Sequence, residues 1–147
     1  MNPVRKFLRL QPADRRLLIR SVALVSFIRG WLWLAPYRPL HRLLNRLATK
    51  TSDTSKISKM YPERAAWAVN AASHRIPGAR TCLVEALALE FILQRHGFPA
   101  DLRLGVCHDP QGRVRAHAWV ECDGKIVMGE TDLKNYQPLT TLKGVDP

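Results

Sequence analysis

The sequence predicts an α+β fold: N-terminal helices, one buried central helix, and a small antiparallel sheet. Three observations carry that prediction. The stretch from Leu17 to Leu34 and the stretch from Cys82 to Leu93 are apolar over helical lengths. From Asp101 onward a period of two takes over, with Leu102, Leu104 and Val106 on one face and Val114, Ala116, Ala118 and Val120 on another. Asp123-Gly124 then supplies the dipeptide favoured in two-residue hairpin turns. At 147 residues with a hydrophobic fraction of 46%, the chain can bury one ordinary core.

The elements are expected in this order. A helix starts near Pro12–Asp14, where a proline and an acid suit a first turn, and runs to Leu34, with Pro36 and Pro39 ending it. Arg20 and Arg29 lie inside its apolar run and are costly at mid-bilayer, so a buried or interfacial helix is expected rather than a membrane span. A second helix is expected from Pro39 to Ala48. The polar run 49–59 reads as a linker. An alanine-rich helix follows from Pro62 to Ser73. The loop 75–80 then delivers the chain to the helix Cys82–His96, apolar nearly all round and therefore central. Thr81 or Cys82 caps it; Gly97 and Pro99 stop it. Three strands are expected, Asp101–Cys107, Arg113–Cys122 and Lys125–Glu130, and a turn-like tail from Thr131. Residues 1–60 thus read as a basic helical region packed on or docking to a core formed by 61–147, within one compact domain.

Charge is unevenly placed. The net charge of +11 falls within residues 1–60, which hold 13 basic and 2 acidic residues, whereas residues 61–147 hold 10 of each. The basic third suits an acidic peptide or protein partner; peripheral membrane contact through the N-terminal helix is a second use. Nucleic-acid binding by a non-catalytic basic module is the rival class, and its steep salt dependence would expose it. The expectation is no nucleic-acid partner. Three cysteines, an odd number with no CxxC, support neither a disulfide framework nor a structural zinc, so no metal or cofactor is expected. A reducing, cytoplasmic compartment fits, and no secretory signal pattern opens the chain.

The candidate chemistry lies in Cys82 and His117. A helix N-terminus carries partial positive charge and unpaired N–H groups, which favour a thiolate at Cys82. A strand histidine brought beside it would complete a nucleophile–base pair. Each residue alone has an ordinary structural use, as a small buried hydrophobe or a satisfied sheet histidine. The joint arrangement is what singles them out. With a two-residue turn at Asp123-Gly124, Cys122 faces Lys125, Trp119 faces Met128 and His117 faces Glu130. This register nominates Glu130 as the acid that orients the imidazole, with Asp132, a diagonal neighbour, as runner-up. Cys107 and Cys122 are expected to be passive, and His74, His96 and His108 solvated. Trp119 shares the face of His117, either as a wall of the site or as ordinary packing. The Cys82 backbone N–H is the candidate oxyanion donor.

The segments Cys82-Leu83-Val84-Glu85-Ala86-Leu87-Ala88-Leu89, Leu102-Arg103-Leu104-Gly105-Val106 and His117-Ala118-Trp119-Val120-Glu121, followed by Asp123-Gly124, resemble the transglutaminase-like cysteine peptidases of lasso-peptide biosynthesis. The resemblance is to the protease half of the B protein and covers roughly residues 75–135. It implies a transglutaminase/papain-like core and removal of the leader from a ribosomally made precursor peptide before a macrolactam synthetase closes the ring. It carries the family's cysteine to Cys82 and its histidine to His117. The third member is usually an aspartate on the following strand; the equivalent position here is Glu130, a departure. The family's small leader-binding domain has no candidate segment in these 147 residues, which implies a separate leader-recognition protein. A transglutaminase-like acyl transferase on the same constellation is the alternative.

Overall fold

The computed structural model describes residues 2–50, 62–78, 81–129 and 133–139. These form helices α1 (Pro3–Leu8), α2 (Pro12–Leu34), α3 (Tyr37–Lys50), α4 (Pro62–Ser73) and α5 (Cys82–Arg95). Strands β1 (Ala100–His108), β2 (Val114–Cys122), β3 (Lys125–Met128) and β4 (Gln137–Leu139) follow, with a 3-10 turn at Leu133–Asn135 before β4. The fold is α+β, as expected. The short α1 was not anticipated. Pro39 does not end a helix: it sits in the first turn of α3, where its missing N–H removes no intrahelical bond.

Helix α5 is the centre. Leu87, Leu89 and Leu93 have no exposed surface, and around them pack Val25 and Ile28 of α2, Leu40 and Leu44 of α3, and Val69 of α4. Ala100 and Leu102 of β1 and Ala118, Val120 and Cys122 of β2 close the other side. Each fully buried leucine contributes about 1.5–3 kcal/mol from removed apolar surface. The N-terminal helices are therefore part of the same core as the sheet. Asp14 of α2 is buried and takes both Nε and Nη2 of Arg64 from α4, the first at 3.0 Å. The Arg29 guanidinium of α2 lies against Gly78, in the loop before α5, where an added Cβ would stand 3.0 Å from it.

A polar lock joins α3, α5 and β1. Glu90 is buried within α5, and its Oε2 stands 3.0 Å from Nε2 of His41. Its Oε1 accepts from the Leu102 backbone N–H at 3.0 Å and from Gln94 Nε2 at 3.3 Å. The Tyr37 ring stacks on His41 with centroids 5.4 Å apart. Burial, and then the charge of Glu90, push the Tyr37 hydroxyl well above the usual phenol range.

Among the described residues the sheet is antiparallel throughout, in the order β3-β2-β1-β4. Asp123 (φ 51°) and Gly124 (φ 75°) both adopt positive φ, as the tight hairpin requires. Cys122 pairs with Lys125 and Glu121 with Ile126, as the turn predicts. The next pair departs from it. A bulge between Val120 and Glu121 inserts Val127 as an extra residue on β3, so Met128 faces Val120 and not Trp119. The register that set Trp119 against Met128 is thereby corrected; it departs at Val120, three positions before His117, and the Glu130 expected opposite that histidine lies outside the described residues. Strand β3 also stops at Met128 rather than Glu130. Strand β4, absent from the sequence expectation, pairs Val106 with Gln137 at the edge of the sheet, where Pro138 is tolerated.

Candidate active site

Thr81 caps α5: its side-chain oxygen accepts from the Val84 N–H at 3.3 Å. Cys82 is therefore the first helical residue, with no i−4 acceptor for its own N–H within the helix. The sequence had left the cap between Thr81 and Cys82. Glu85, one turn into the helix, accepts from Ser73 Oγ at 2.5 Å, fastening the start of α5 to α4. Cys82 is half-buried against the core. The sequence forms the helix here because nine apolar residues follow within eleven, and Thr81 stops it growing backward.

His117 stands on β2 opposite Gly105 of β1. Its Nε2–H donates to the Gly129 carbonyl at 2.7 Å. A carbonyl can only accept, so in the neutral ring the proton belongs on Nε2 and Nδ1 keeps its lone pair. Two glycines make this possible. A Cβ on Gly129 would lie 2.8 Å from the Ala118 carbonyl oxygen and 2.9 Å from Trp119 Cβ, and Gly129 has φ +85°. A Cβ on Gly105 would lie 2.9 Å from the Trp119 ring. Trp119 fills the resulting space, nearly parallel to His117 with centroids 6.3 Å apart, and its Nε1 donates to Glu121 at 3.0 Å. Glu121 also pairs with Arg103 at 3.3 Å. Trp119 is thus both packing and a wall behind the imidazole.

Tyr136 packs against His117. Its ring lies 5.5 Å from the His117 ring. Its hydroxyl is held above the usual phenol range, first by a hydrogen bond with the Cys107 side chain, then by burial and the negative charge Cys107 would carry. Arg115 opposes the shift, and Cys82 adds to it. Strand alternation turns Ala118, Val120 and Cys122 toward α5 and His117 and Trp119 to the other side. Cys82, at the tip of α5, is not hydrogen-bonded to His117.

Glu130 and Asp132 lie outside the described residues. The bulge removes the register argument that ranked one above the other. Cys122 is buried, which pushes its thiol above the ordinary range, with Asp123, Glu63 and Asp101 adding to the shift. Cys107 is half-buried. His74 and His108 are exposed, but His96 is half-buried, with Nδ1 2.8 Å from the Ile92 carbonyl. Among the described residues no group of three His, Cys, Asp or Glu side chains could hold a metal ion. One described helix, α2, is long and apolar enough to cross a membrane, and 22% of that stretch is buried inside the protein. Sequence reasoning missed Tyr136 and the Gly129 carbonyl. Tyr136 follows a run with no periodicity, and a backbone carbonyl leaves no residue-type signal.

A search of curated proteins and a search of solved structures each return no match. A family profile described as the transglutaminase-like superfamily matches residues 24–141, from the middle of α2 to just beyond β4, with Cys82, His117 and Tyr136 inside it. The chain belongs to the transglutaminase-like superfamily, a grouping that includes cysteine peptidases and acyltransferases.

Proposed function

We propose that this chain is a cysteine peptidase that removes the leader from a ribosomally synthesised lasso precursor peptide before macrolactam closure. Two observations support the reading together: Cys82 takes the first position of a capped buried helix, and His117 has its Nε2 occupied by a carbonyl and its Nδ1 open. In the mechanism, His117 Nδ1 takes the thiol proton and Cys82 Sγ attacks the leader–core carbonyl carbon. The oxyanion faces the Cys82 N–H. The imidazolium then protonates the departing core amine, leaving a thioester with the leader. Water, deprotonated by His117, releases the leader acid and restores the thiol. The mechanism requires Cys82 Sγ within hydrogen-bond reach of His117 Nδ1 once substrate is bound. A carboxylate from Glu130 or Asp132 would steady the imidazolium.

The same reading supplies the partners: the precursor's leader region, a separate leader-recognition protein, and a macrolactam synthetase acting afterward. The basic N-terminal third would meet an acidic leader or its carrier, in a reducing cytoplasm that keeps the three thiols free. Because the superfamily includes acyltransferases, the product decides the reaction. The test combines the protein, its recognition partner and the precursor encoded beside its gene, read by mass. Two fragments summing to the precursor plus one water support the peptidase. A covalent adduct indicates acyl transfer instead, and an intact precursor in every combination counts against both.

A further inference from the structure

We infer that Arg115 reads an acidic side chain of the substrate peptide about two residues from the bond that is cut, an inference that rests on the peptidase reading. A cleft of about 680 Å³ opens beside His117, lined by Cys107, His108, Asp109, Arg115, Asn135 and Tyr136 among others. Tyr136 joins the cleft to the histidine, since its ring also lies against His117. Arg115 precedes His117 by two residues on β2, so the two share a face and stand about 7 Å apart along the strand. An extended peptide advances by a similar rise per residue. With its scissile carbonyl at Cys82 and His117, a side chain two residues away falls over Arg115.

The cleft's charge selects the ligand. Among the described residues lining it, one is acidic, and its carboxylate is already engaged. Asp109 Oδ1 accepts from the Gln111 and Arg113 N–H groups at 3.0 and 2.9 Å, and Oδ2 accepts from Arg113 Nε at 2.9 Å. Arg115 Nε forms a loose ion pair with Oδ2 at 3.7 Å, longer than a hydrogen bond. The Arg115 side chain is 65% exposed whereas that of Asp109 is 5% exposed. The arginine thus keeps a fork of donors facing the cleft, a geometry matched to a carboxylate.

The test offers the full chain a pool of proteome-derived peptides and reads the cut sites by mass spectrometry. The expected result is enrichment of Asp and Glu two residues from the cut, on one side of it. For a matched pair of peptides bearing Glu or Gln there, the kcat/KM ratio should fall roughly tenfold in Arg115→Gln, through KM, and recover in part in Arg115→Lys. Absent enrichment, or enrichment that survives in Arg115→Gln, overturns the inference. If the pool is not cut at all, the peptidase reading suffers and a binding measurement decides. In that measurement, Cys82→Ala protein, with and without Arg115→Gln, is titrated into labelled Gly-Ala heptapeptides carrying one central Glu or Gln. Tighter binding of the Glu peptide that vanishes in Arg115→Gln supports the inference; equal binding of the two peptides overturns it.

Discussion

His41 and His117 are each held through Nε2, one by the Glu90 carboxylate at 3.0 Å and the other by the Gly129 carbonyl at 2.7 Å. Their surroundings differ in kind. His41 is 7% exposed, stacked under Tyr37, and its carboxylate partner is satisfied on its second oxygen by a backbone N–H and a glutamine. His117 is half-buried beside an open cleft, and its fixed nitrogen leaves the other one unspent. A closed network stabilises and cannot turn over. A ring fixed on one side only is oriented and still able to exchange a proton.

The largest effects should separate these two roles. Cys82→Ala and His117→Ala are expected to lower leader cleavage by roughly 10²-fold or more, the scale of general acid–base and nucleophile contributions, while thermal unfolding stays near that of the parent. Cleavage retained by Cys82→Ala would sink the mechanism. Cys107→Ala and Cys122→Ala should keep most activity. His41→Ala should show the reverse pattern, losing about 3–5 kcal/mol of stability because Glu90 is left buried without its partner. A His41→Ala protein that melts like the parent would place the lock outside the stabilising network.

Smaller effects sharpen the active-site side. Glu130→Gln and Asp132→Asn should differ, the variant of the true orienting acid losing a factor of roughly ten in turnover. Equal, silent behaviour of both would leave the Gly129 carbonyl as the group that holds the ring. Gly129→Ala should lower turnover more than stability alone accounts for, since the added methyl meets Ala118 and Trp119 and displaces that carbonyl. The smallest effect concerns the rim of the cleft. The Arg113 N–H leads the contacts that hold the Asp109 carboxyl below its usual range. The turn's contribution is therefore fully present above the unfolded value near about 3.9 and disappears only as pH falls through the lower folded value. The Arg113 amide resonance should follow that acid titration, and should lose it in Asp109→Asn.

What was legible in the sequence was local. Pro12 and Thr81 set helix starts, Gly97 set a helix stop, and Asp123-Gly124 set a turn and the two pairs nearest it. Each acts within a few residues, where side-chain chemistry and backbone geometry are directly coupled. What was not legible depended on distant partners. The extra residue at Val127 costs one step of register and carries no composition of its own. Strand β4 is three residues long and exists because β1 offers it an edge. His41 and Glu90 are 49 positions apart, and nothing in either neighbourhood announces the other. The nucleophile and base could be nominated because one opens a helix and the other alternates in a strand. Tyr136 could not, because its significance comes wholly from the side chains it touches.

The stacking of Trp119 on His117 also makes an optical instrument of the active site. An indole beside an imidazole loses emission when the imidazole takes a proton, so fluorescence becomes a direct readout of the state of the base. Trp119 is 6% exposed whereas Trp33 and Trp67 are 77% and 43% exposed, so iodide in solution would quench those two and spare Trp119. The light that remains comes from Trp119 and the half-buried Trp31, so a Trp31→Phe protein would leave the stacked pair as its main source.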